Sequence, residues 1–385
     1  MSRLLYSAVV VAIAAAAYNF YLQPLLVLYG VGRVIESLGT TGCTTVPAPA
    51  CEKIVLHEPT GVLYLACSSP ESRAHWTPSL AQLNASGPDA VDYLATYNPD
   101  TGVVARLEPT LPGFMSHGMD VVPSASNPDE LFIYAVNHRK PADRASAPVT
   151  GADSTIEIFK TTVGSTALTH LRTIRDAVIV TPNDIVGSPD GKSFFFTNDH
   201  DTKTSKMRLL HLIGLEYGSV GYCDVESGCK YVARKLHSAN GIVRAPTNDT
   251  FYVSNSLLGG ITVLERQSDN TLLKTHTIPT DRGIDNLSID KDGVMWAAGF
   301  PSAIAMGAHI ADPSQLSPVS AHSIAMNTGP GSFYGEKYKV NKVFENDGTL
   351  VSGTTSVVHD AKRKRLYLNG ESEDPMPLRL FHNVL

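Results

Sequence analysis

A chain of 385 residues that is 43% apolar and only 18% charged can bury a large core, which excludes an intrinsically disordered protein. Its net charge of −6 leaves no basic footprint, so nucleic acid is excluded as a partner. The 30 glycines and 24 prolines are spread between short apolar runs, the distribution an all-β fold with many tight turns requires.

In chain order, the first element is an uncharged stretch from Leu4 to Gly30, flanked by Arg3 and Arg33. It is long enough to span a bilayer. Residues 1–31 are therefore expected to be a signal anchor, with a signal peptide cleaved near Ala15-Ala16-Ala17 as the alternative. The apolar character that continues from Tyr18 to Tyr29 favours the anchor. Residues 32–49 read as a polar linker, and residues 50–385 as one domain. Asn84-Ala-Ser, Asn248-Asp-Thr and Asn286-Leu-Ser are glycosylation sequons, in keeping with passage through the secretory pathway and a lumenal or extracellular domain. Of the five cysteines, Cys223 and Cys229 bracket a turn-like segment and are candidates for a local bridge. Cys43 with Cys51 is a second candidate pair, Cys67 reads as a buried thiol in an apolar run, and a chain with no bridge at all is the alternative.

From Glu52 onwards one pattern recurs six times: a polar head, an apolar run, a turn and a second apolar run. The copies begin at Glu52, His117, Asn183, Asn240, Asn286 and Thr355, at intervals of 46 to 69 residues. Such uneven units suit blades of four short strands with loops of different length, and six of them predict a six-bladed β-propeller. Short helices are expected within Pro78–Tyr97 and Ser205–Glu216, and a longer loop or lid between Ile304 and Tyr338. In a circular fold the copies at Glu52 and Thr355 should be neighbours.

Equivalent positions of a ring all face its axis, so the polar heads should meet at one mouth of the central channel. Glu52, Asn183, Asn240, Asp285 and Asn286 together offer five side-chain oxygens, two of them anionic. That is a set for a hard divalent cation such as calcium. His117 heads its repeat and His138 ends the same hairpin, so the two should approach one another, with His117 suited to act as general base. Asp184, Asp199, His200 and Lys53 fall next to these positions and are expected to surround them.

The motifs VNH at 136–138, NDI at 183–185, TNDH at 197–200, NGI at 240–242 and DN-S-D at 285–290 resemble those of the serum paraoxonase/arylesterase family, in family order from about Glu52 to Leu378. This resemblance implies a six-bladed propeller with calcium in its channel that hydrolyses lactones and aryl esters. It maps the calcium ligands onto Glu52, Asn183, Asn240, Asp285 and Asn286, and a histidine pair onto His117 and His138. Three departures stand out. The Asp that helps hold a second, structural calcium is replaced by Lys53, whose ammonium beside Asp184 could substitute for the ion, so one calcium is expected rather than two. The C-terminal cysteine of the family is absent, so any disulfide must differ. A Cys-His pair becomes Gly299-Phe300, which alters the channel wall. The expected partners are a small-molecule lactone or ester and a membrane. A sugar-lactone hydrolase of the gluconolactonase type and a non-catalytic, membrane-tethered binding propeller are the alternatives.

Overall fold

The computed structural model describes residues 3–48, 50–88, 92–370 and 379–382. Runs such as Ser193–Asn198 and Met295–Phe300 are buried throughout and bounded by turns, a pattern that fits only the middle of a sheet. Six four-stranded antiparallel sheets result. Their innermost strands are Cys51–His57, Ser116–Pro123, Pro182–Gly187, Ala239–Arg244, Gly283–Ile289 and Thr354–Asp360, which we number blades 1 to 6. Each inner strand packs against the next, and the last packs against the first, so the sheets form a closed six-bladed β-propeller.

Closure uses the chain's own beginning. Cys43–Thr45 pairs antiparallel with Arg379–His382 and completes the sixth sheet, so part of the segment expected to be a linker is a strand. The hydroxyls of Thr355 and Ser356 donate to the Glu52 carbonyl at 3.0 and 2.6 Å, and the first and sixth repeats are thus neighbours. Between adjacent blades lie separate apolar clusters. Ile185, Phe194, Phe196 and Tyr134 fill one, and Trp296, Phe344, Phe381 and Val357 fill another. The core is therefore a set of radial wedges, which leaves the axis to polar groups.

The disulfides are Cys223–Cys229 and Cys51–Cys67, and Cys43 is free. The expected Cys43–Cys51 pairing is corrected by register: Cys51 and Cys67 face each other across the first hairpin of blade 1, whereas Cys43 pairs with Phe381 in blade 6. Two bridges fit an oxidising compartment. The N-terminal segment is helical over Arg3–Ala17, passes through a π turn at Tyr18–Leu22 and continues as Gln23–Leu28. Its stretch Leu5–Leu28 spans 24 residues with mean hydropathy 1.7 and none of it buried, so it is long and apolar enough to cross a membrane. On the same side of the ring as its end lie a 3₁₀ helix, Lys206–Ile213, and an α-helix, Ala303–Ala311: Tyr29 hydroxyl donates to the Leu212 carbonyl, and Ala303 N–H donates to the Tyr29 carbonyl at 3.2 Å. The region expected as one long loop after Ile304 holds that α-helix and then a full strand, Val319–Met326.

Candidate active site and metal centre

Every inner strand loses register with its neighbour at the same place. The irregularities fall between Cys51 and Lys53, Ser116 and Met119, Pro182 and Ile185, Ala239 and Ile242, Ile284 and Leu287, and Thr354 and Ser356. The residues skipped over include Glu52, His117, Asn183, Asn240, Asp285, Asn286 and Thr355, the polar heads of the repeats. A bulge frees a residue from the ladder and re-aims its side chain. This device turns the polar groups into the channel.

Close approach of the bulges depends on two glycines. A Cβ on Gly118 would lie 2.2 Å from the Asn183 carbonyl oxygen, and one on Gly241 would lie 2.7 Å from Asn286 Cα and 2.8 Å from the Asp285 carbonyl oxygen. These contacts are with backbone and cannot yield by a rotamer change. Gly241→Ala should therefore push blades 4 and 5 apart and cost about 1–3 kcal/mol in chemical denaturation, the usual range for overpacking.

The outcome is a cavity of about 460 Å³ at one mouth of the channel. Glu52, His117, Asn183, Asn240, Asp285, Asp199 and His200 form its polar floor, and Tyr29, Leu80, Leu212, Phe300, Ile304 and Met306 line it with apolar surface. Phe300, one of the departures noted in the sequence, thus forms part of the wall. The Oδ1 atoms of Asn183 and Asn240 are buried and have no hydrogen-bond partner among the described residues. Two buried amide oxygens without donors among the described residues, sharing a cavity with the carboxylates of Glu52 and Asp285, are what a hard cation requires. No three His, Cys, Asp or Glu side chains converge as a metal cluster among the described residues, so an ion here would have to take amide oxygens. The residues present fit calcium in that sense. Asn286 sits deeper: its Nδ2 donates to Glu52 Oε1 at 2.5 Å, and its Oδ1 accepts from Lys53 at 3.2 Å.

Lys53 Nζ lies 2.5 Å from Asp184 Oδ2, and both side chains are buried. The Ile242 N–H adds a second contact to the same oxygen at 3.0 Å. A single ammonium thereby ties together blade 1, blade 3 and, through Asn286, blade 5. Burial raises the Asp184 carboxyl and the Lys53 charge opposes that rise.

His117 and His138 have ring centroids 5.1 Å apart. His138 Nδ1 lies 2.9 Å from Ser154 Oγ, and Trp76 donates to the His138 carbonyl at 2.6 Å. Burial, with the neighbouring His138 and Arg73, holds His117 well below the ordinary histidine range, and burial with Arg73 takes His138 down to about 3. Both rings are therefore neutral at neutral pH. Asp199 is pushed up to about 6 by burial, opposed by Arg208.

The buried Arg73 and Arg208 were missed in the sequence. Arg208 donates to the carbonyls of Pro78 and Ser79 and so fastens the 3₁₀ helix over the floor. No local signal marks either one, because only the tertiary contacts distinguish them from surface arginines. Asn84 and Asn248 are exposed, as a glycan requires, but Asn286 is 1% exposed at the axis, which removes that sequon as an acceptor.

Buried neutral histidines make stability depend on acid. His200, His322 and His211 are depressed by burial to about 3, about 3 and about 4. Below the ordinary value of about 6.5 the unfolded chain takes up protons that the folded chain refuses. The melting temperature should thus hold above that pH and fall steadily as pH is lowered towards 4, as read by differential scanning calorimetry.

Comparison with known proteins places this architecture. Residues 107–371 match the family model described as Arylesterase, and the chain belongs to that family, a class of ester hydrolases. It is 28% identical to serum paraoxonase/arylesterase 2 of Gallus gallus over 287 residues, covering 74% of this chain and 72% of the relative. With serum paraoxonase/arylesterase 2 of Homo sapiens it shares 28% identity over 255 residues, covering 66% of each. Among solved structures it is similar to a gluconolactonase from Xanthomonas campestris, 15% identical, with a TM-score of 0.49 and coverage of 89% and 90%.

Proposed function

We propose that this protein is a calcium-dependent hydrolase of lactones and aryl esters whose cavity is tethered near a membrane by the N-terminal helix. The observation that carries this reading is the pair of buried amide oxygens of Asn183 and Asn240, unpartnered among the described residues, in one cavity with Glu52, Asp285 and His117. Glu52, Asn183, Asn240 and Asp285 would hold the ion, with Asn286 positioning Glu52 through its 2.5 Å hydrogen bond. When bound there, calcium supplies Lewis-acid polarisation of an ester carbonyl.

The chain's own residues do the rest. Neutral His117, at the cavity floor, accepts a proton from the attacking water, and His138, anchored through Ser154 and its backbone, orients the His117 ring. The apolar wall formed by Leu80, Leu212, Phe300 and Ile304 favours acyl and aryl groups over polyhydroxylated sugars and excludes bulk water. A membrane anchor with two disulfides and exposed sequons at Asn84 and Asn248 fits a lumenal or extracellular location.

The test is hydrolysis of an acyl lactone, an aryl acetate and gluconolactone before and after chelation. The apolar substrates should be turned over, and activity should be lost with chelator and restored by calcium. His117→Gln should lower kcat by about a hundredfold or more with KM little changed. Full activity in that variant at neutral pH would reassign the base.

A further inference from the structure

One wall of the substrate cavity comes from outside the propeller. Among the described residues that line it, Tyr29 alone precedes the first blade. It follows directly on the helix Gln23–Leu28 and stands half-buried where that helix meets the ring. Its place is fixed by groups that two helix ends leave over, since the last carbonyls of a helix and its first N–H groups have no partner within it. The Tyr29 hydroxyl donates to the carbonyl of Leu212, and the Tyr21 hydroxyl donates to that of Ile213, the last two residues of the 3₁₀ helix. On the other side the Tyr29 carbonyl accepts the N–H of Ala303, the first residue of the α-helix Ala303–Ala311, at 3.2 Å.

The backbone around Tyr29 is held as firmly as the ring. Gly30 has a φ of +75°, and a Cβ there would lie 2.0 Å from the Pro301 carbonyl oxygen. Arg33 reaches back to the Val27 carbonyl at 2.9 Å and out to the Asp281 carboxylate at 3.1 Å. The ring is thus set between the two helices that cover the mouth. The cavity it faces has two unlike ends. Glu52, Asn183, Asn240 and Asp285 stand on inner strands at the polar floor, whereas Tyr29, Leu212 and Ile304 belong to the covering layer. A small ester held by its carbonyl at the floor does not fill about 460 Å³. A longer acyl group extends towards the covering layer and buries its methylenes on the Tyr29 ring.

Building on the hydrolase reading above, we propose that Tyr29 is a specificity-determining residue: its ring is the surface on which the acyl chain remote from the reacting carbonyl packs. The N-terminal helix then selects the substrate as well as tethering the protein. Tyr29 makes no contact with the reacting atoms in this account, so it ranks one ester over another without taking part in the bond-breaking step. Tyr21 provides the internal comparison. It makes the same kind of contact to the same helix end, yet it does not line the cavity among the described residues.

The test uses full-length protein in detergent micelles with calcium, and reads kcat/KM for phenyl hexanoate divided by that for phenyl acetate. Tyr29→Ala should lower this ratio about tenfold, the effect of about two buried methylenes. Tyr29→Phe, which keeps the ring, and Tyr21→Ala, which loosens the helix contact alone, should each hold it within about twofold. Binding of benzyl pentyl ketone and benzyl methyl ketone, in which a methylene replaces the ester oxygen, is measured alongside by NMR titration and should show the same pattern in Kd. An unchanged ratio in Tyr29→Ala that is folded by circular dichroism would overturn the proposal, while turnover of both esters would still uphold the hydrolase reading. An equal fall in Tyr21→Ala would overturn it too, by showing that a loosened helix and not the ring sets the preference. The expected ketone pattern without turnover of either ester would support the role of Tyr29 and overturn the hydrolase reading instead.

Discussion

Asn240→Ala should lose about a thousandfold or more in kcat/KM for an aryl acetate while its unfolding free energy changes by no more than about 1 kcal/mol. The two halves of this expectation have separate causes. Lewis-acid stabilisation is worth several kcal/mol, and about 4 kcal/mol corresponds to three decades in rate. The small structural effect follows because Asn240 Oδ1 has no partner among the described residues, so truncation orphans no other group there. A residue serving the fold would show the opposite balance. Loss of stability with retained turnover would make Asn240 a structural residue and remove the ion from the mechanism.

Lys53→Met should destabilise the protein by about 3–5 kcal/mol, the cost of leaving one charge of a buried pair without its partner. Asp184 is fully buried, its Oδ1 already has no hydrogen-bond partner among the described residues, and Oδ2 would retain only the Ile242 N–H. The loss should appear in urea denaturation as a lower midpoint with unchanged slope. A second change, Asp184→Asn, should recover part of it by removing the stranded charge. A shift under about 1 kcal/mol in the single variant would mean that water or an ion replaces the ammonium freely, and that Lys53 does not bind the blades together.

Much of this was legible in the sequence because a ring repeats. The polar heads of Glu52, His117, Asn183 and Asn240 could be aligned by their following apolar runs, and circular closure then put Thr355 beside Glu52. The bulges were not legible, since a one-residue slip in register leaves no compositional trace, yet they turn both Asp285 and Asn286 out of the ladder at a single strand. The disulfide error had a related origin. Cys51 and Cys67 are partners by hairpin register, a relation set by where the turn falls and not by nearness in sequence. Asn286 satisfied a glycosylation sequon and an axial position at once, and only burial decided between them. The 3.0 Å contact of His211 Nδ1 with Ser238 Oγ joins a 3₁₀ helix to the bend before the inner strand of blade 4 across 27 residues, beyond the reach of any local pattern.

Calcium titration of chelator-stripped protein by isothermal calorimetry tests the central claim most directly. One site per chain is predicted, absent in Asn240→Ala and retained in Lys53→Met to the extent that this variant folds. Two sites in the wild-type protein would contradict the role given to Lys53. No binding at all by folded wild-type protein would contradict the ion itself.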